Sequence, residues 1–69
     1  MPKSPIGDGR EILIEIVKLG GYAKVTAIDP VTGTEVSVMG PGNATRASLE
    51  TAALNKLDYV LKKKAAEES

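Results

Sequence analysis

The sequence contains no cysteine and no histidine. That excludes disulfides, zinc fingers and thiolate chemistry together, and leaves only oxygen ligands for any metal. Without imidazole or thiol, acid–base work would fall to carboxylates, lysine or tyrosine, and nucleophilic work to serine or threonine with no usual base beside them. The acids are scattered singly over expected turns, strand surfaces and helix ends. Glu15 and Glu35 share a sheet face but belong to the two outer strands of the expected meander, with a third strand between them. No catalytic residue, cofactor or metal is therefore expected. Net charge is lacking too: nine basic and nine acidic residues cancel, so no global field recruits nucleic acid or an anionic membrane. No apolar run reaches the length of a signal peptide or a membrane span, which points to a cytoplasmic protein without a membrane partner.

Length is also short. A chain of 69 residues makes one domain. It buries only about 60% of its unfolded surface and draws roughly 3–5 kcal/mol from a single core. Disulfides and structural zinc being excluded, association with another chain is the expected supplement.

What is present is organised around Tyr22–Ile28, read as the central strand of a three-stranded antiparallel meander. Gly20-Gly21 before it suits a two-residue type I′ or II′ turn. Asp29 to Thr34 after it suits a loop built on a type I turn, with Pro30 where φ is preset, Gly33 where a left-handed residue is wanted, and Asp29 hydrogen-bonding at the turn start. The first strand is Arg10 to Leu19 and the third Glu35 to Met39. These turns set Leu19 opposite Tyr22, Ile16 opposite Val25, Ile14 opposite Ala27, Ala27 opposite Val36 and Val25 opposite Val38. Ile12, Ile14, Ile16, Ala23, Val25 and Ala27 then share the core face, with Lys18 at its rim.

Gly40 to Asn43 ends the sheet, and Asn43 or Thr45 caps a helix running to about Lys64. Leu49, Ala53, Leu54, Leu57, Val60 and Leu61 form its apolar stripe, with Ala53 small enough to sit close over Ala23 and Ala27. Lys62, Lys63 and Lys64 occupy the last turn, where cations suit the helix dipole. The domain is accordingly residues 10–64. Residues 1–9, rich in proline and glycine, read as a disordered lead-in, and residues 65–69 as a frayed end. Gly7-Asp8-Gly9 lacks the strand and helix that would make it a phosphate loop.

The second sheet face carries Leu13, Val17, Leu19, Tyr22 and Ile28 among polar residues. One helix cannot cover both faces of a sheet, and a face left to water alternates more cleanly. These five residues are the expected interface with a second copy of the chain. Because Met39 to Asn43 is short and stiffened by Pro41, exchange of helices between copies offers a route to that dimer. The sheet edge and Tyr59, on the back of the helix, remain for another protein. A narrower candidate is an anion contact at Gly42, Asn43 and Arg46, where glycines allow close approach and a helix N-terminus presents N–H groups; the competing reading of that loop is a hinge followed by a helix cap.

Gly9-Arg-Glu11, Ala27-Ile-Asp-Pro30, Thr32-Gly-Thr-Glu-Val36, Lys56-Leu57 and Tyr59-Val-Leu61 resemble a family of short, functionally uncharacterised proteobacterial proteins with a βββα order. The resemblance spans roughly Gly9 to Lys63 and implies the fold and dimerisation, with no catalytic or binding residues to carry over. Over Gly40–Arg46, Ala52–Leu54 and Lys56-Leu57 the chain is also similar to the C-terminal part of double-stranded-RNA-binding domains. That family's first helix has no counterpart here, and the lysine cluster it places at the start of the last helix is represented only by Arg46. The expectation is an α+β homodimeric interaction module, with nucleic-acid binding through Gly40–Arg46 and the basic helix residues as the alternative.

Overall fold

The computed structural model describes residues 3–5 and 11–68. Strands β1 (Lys3–Pro5), β2 (Glu11–Leu19), β3 (Tyr22–Asp29) and β4 (Thr34–Pro41) precede one helix, α1 (Arg46–Glu68). The strands form one antiparallel sheet in the order β1-β2-β3-β4, so β2 to β4 are the expected meander and α1 the expected C-terminal helix.

Turn chemistry sets the register. Gly20 has φ 65° and Gly21 does not have positive φ, which makes the β2–β3 connection a type II′ turn. Leu19 pairs with Tyr22, and every expected β2–β3 partner follows. In the next turn Gly33 has φ 76° and donates its N–H to the Asp29 carbonyl at 2.8 Å, so Asp29 pairs with Thr34. The Asp29 side chain is fully buried there and is satisfied by its own loop: Oδ1 accepts the Val31 N–H at 3.0 Å and Oδ2 accepts the Thr32 hydroxyl at 2.9 Å.

One layer of core lies between the sheet and α1. Ile12, Ile14, Ala23, Val25 and Ala27 from the sheet and Ala53 and Leu57 from the helix are all fully buried, with Val36 and Leu49 nearly so. Each large side chain among them stabilises the fold by roughly 1.5–3 kcal/mol relative to exposure. Ile16, Val38, Leu54, Val60 and Leu61 complete the layer from its margins. The small residues set the spacing: a Cβ added at Gly40 would lie 2.7 Å from Leu49 Cδ2, so the first turns of the helix sit directly on the sheet where β4 has no side chain.

Three boundaries differ from expectation. Part of the lead-in expected to be disordered, Lys3–Pro5, pairs with β2 as a fourth strand, Ser4 opposite Ile12. Low hydrophobicity argues against a core contribution, but an open strand edge offers backbone hydrogen bonds that composition does not register. The rest of residues 1–9, the Gly7-Asp8-Gly9 motif and Arg10 lie outside the described residues. At the other end of the sheet, β4 runs through Gly40 and Pro41, which pair with Ala23 and Tyr22. Proline is tolerated there because β4 is an edge strand and the Pro41 position needs no N–H toward β3. Finally α1 continues to Glu68 instead of fraying after Lys64, because Ala65, Ala66 and Glu67 are strong helix formers with no breaker among them. The last turn therefore holds no basic residue, and the three lysines lie before it.

Candidate interaction surface

The registers arrange the outer face of β2, β3 and β4 as four rows. From the Gly20-Gly21 turn outward they are Leu19, Tyr22 and Pro41; then Val17, Lys24 and Met39; then Glu15, Thr26 and Ser37; then Leu13, Ile28 and Glu35. No helix packs on this side, because α1 covers the other. Val17 is 42% exposed, Leu19 44%, Tyr22 46% and Met39 59%, so the two rows nearest the turn form an apolar patch around Lys24. Leu13 and Ile28 at the far end are half-buried. Between them, Thr26 is nearly buried and its hydroxyl meets that of Ser37 at 3.2 Å.

Met39 belongs to this patch, although the sequence reading did not place it there. Alternation along the strand is the signal that finds it: Met39 lies two and four residues beyond Ser37 and Glu35, so all three share one face.

The Gly40–Arg46 connection is occupied by its own contacts. Gly42 donates its N–H to the Gly21 carbonyl at 3.0 Å and Ala44 to the Pro41 carbonyl at 3.1 Å. The cap is Thr45, whose hydroxyl accepts the Ser48 N–H at 3.1 Å; Asn43 lies outside the helix. Arg46 sits 3.8 Å from Glu50 one turn along. Of the candidate anion residues, Gly42 therefore has its N–H directed inward to the β2–β3 turn, and Arg46 has a carboxylate beside it. The loop is a clamp between hairpin tip and helix start, and no backbone in it has positive φ.

Three lysines of the helix are similarly engaged. Lys56 Nζ donates to the Ser37 carbonyl at 2.9 Å, covering part of the exposed β4 edge, Lys64 reaches the Thr34 hydroxyl at 3.3 Å, and Lys62 pairs with Asp58 at 2.9 Å. Tyr59 stands 66% exposed on the back of the helix. Among the described residues no group of three or more acids is placed to hold a metal, and no helix is long and apolar enough to cross a membrane.

Residues 9–64 match the family model described as Domain of unknown function (DUF6898). The chain belongs to the DUF6898 family. No curated protein and no solved structure matches it. The matched span takes in all four rows of the outer face and α1 through Lys64, and leaves β1 outside. The apolar patch is thus built wholly from elements of the DUF6898 domain.

Proposed function

We propose that this DUF6898 protein is a small homodimeric interaction module of the cytoplasm, without catalytic activity, whose subunits meet through the outer face of the sheet. The observation that carries the reading is the cluster of Val17, Leu19, Tyr22 and Met39, large apolar side chains standing together on the side of the sheet that the helix does not cover. Leu13 and Ile28 extend it to the far end of the face. Contiguous patches of this kind mark interaction surfaces, and a chain with one thin core gains stability by covering one.

Each subunit keeps its own helix. Exchange would be favoured by a strained hinge, whereas the connection has no positive φ and closes with the Gly42 and Ala44 hydrogen bonds. The exposed Tyr59 side of α1 and the backbone edge of β4 are left for a further protein partner.

Val17→Glu tests the interface. A carboxylate buried in the interface without a basic partner should weaken association about 100-fold or more, while Tyr59→Ala, on the opposite side of the molecule, should leave it unchanged. Light scattering on the folded variants reads both. A Val17→Glu variant that keeps the native circular dichroism and the native dimer mass would show that the subunits do not meet on this face.

A further inference from the structure

We infer that the two sheets stack face to face about a two-fold axis running across the strands, so that Lys24 of each subunit pairs with Glu15 of the other. The inference rests on the dimer reading above and names its geometry.

A symmetric dimer requires a surface that complements itself. Two in-plane axes stack the sheets with their strands aligned, one of the two common ways in which sheets pack. An axis along the strands lays each row upon itself, and Lys24, in the middle of the second row, would then face a second Lys24 inside the interface, which is repulsive. An axis across the strands, passing between the second and third rows, reverses the order of the rows. The first row then lies on the fourth, so Leu19 covers Leu13 and Tyr22 covers Ile28. The second lies on the third, so Val17 covers Glu15, Met39 covers Ser37 and Lys24 falls over Thr26, with Glu15 one strand to the side at about 4.8 Å. A lysine side chain spans that offset readily, and symmetry makes the contact twice. Both ends of the face are used: the exposed pair by the turn meets the half-buried pair at the far end.

The charges sit where this arrangement needs them. Lys24 is the only basic residue that β2, β3 and β4 contribute to the four rows, Lys3 of β1 standing opposite Leu13 at the far end, and Glu15 is the acid of the row that faces Lys24. Both are exposed in the single subunit, so each carries its charge on the surface that a second copy would cover.

Sedimentation equilibrium of Lys24→Glu, of Glu15→Lys, and of their equimolar mixture tests the geometry. Each single variant puts like charges together twice and should dissociate at least tenfold more readily than the native protein. In the mixture, one subunit presents glutamate at both positions and the other lysine at both. Every cross-pair is then opposite in sign, and affinity should return to within about threefold of native. Rescue in the mixture cannot come from contacts within a subunit, because each variant there still has like charges on its own face. A dimeric native protein whose Glu15→Lys variant associates normally, or whose mixture is no tighter than the variants alone, would overturn the geometry while leaving the dimer standing. A monomeric native protein would overturn both.

Discussion

Gly40→Ala probes how the helix is seated. The added methyl would lie 2.7 Å from Leu49 Cδ2, about 1 Å inside the ordinary carbon–carbon separation. Gly40 has no positive φ, so alanine meets no backbone penalty and the effect is steric alone. Leu49 is only 4% exposed, and relief requires its methyls to turn within a packed layer or the helix to lift from the sheet. Overpacking of this kind costs about 1–3 kcal/mol, offset by roughly 0.4–1 kcal/mol because alanine has less freedom than glycine in the unfolded chain. The expected net loss is about 1–2 kcal/mol. Leu49→Val withdraws the δ-methyls and alone costs about 0.5–1.5 kcal/mol. In that background Gly40→Ala should be close to neutral, so a double-mutant cycle should give a coupling of about 1 kcal/mol or more. Urea unfolding followed by circular dichroism at 222 nm measures all four proteins. The same loss in both backgrounds, or a Gly40→Ala protein as stable as native, would refute the close seating of Leu49 on β4.

Two further stability predictions follow from burial. Leu57→Ala should cost about 2–5 kcal/mol, because Leu57 is fully buried at the centre of the helix stripe; against a total of roughly 3–5 kcal/mol for a core of this size the variant should be largely unfolded by circular dichroism at 37 °C. Asp29→Ala should cost about 1–3 kcal/mol, since it removes the buried charged acceptor of the Val31 N–H and the Thr32 hydroxyl that ties the turn together, and chemical denaturation against Asp29→Asn should show the asparagine variant losing less.

The meander was legible because two glycines with positive φ fix two turns, and a turn of known length dictates every partner along the strands it joins. Gly20 and Gly33 are where those turns bend. The helix stripe was legible for a comparable reason: Leu49, Ala53 and Leu57 recur at helical spacing and all three are buried. What escaped reading was structure that side chains do not encode. Lys3–Pro5 joins the sheet through the backbone, which composition does not report. Gly40 and Pro41 read as a stop, yet an edge strand needs no donor at every position, and β4 continued through them. The Gly42 N–H turns inward because the β2–β3 hairpin tip supplies a carbonyl 3.0 Å away, a tertiary contact between residues 21 positions apart that no local pattern announces. Met39 extends the outer apolar face, and the two-residue alternation of β4 through Glu35 and Ser37 is what places it there.

The central claim is that the patch of Val17, Leu19, Tyr22 and Met39 is covered by a second copy of the chain. Sedimentation equilibrium of the native protein across a dilution series from about 100 µM to below 1 µM tests it most directly. The account predicts the mass of two chains at high concentration, with a reversible fall toward one chain on dilution if the limit of affinity is reached. A single-chain mass throughout the series would contradict it, and would leave that face as the site for a different partner.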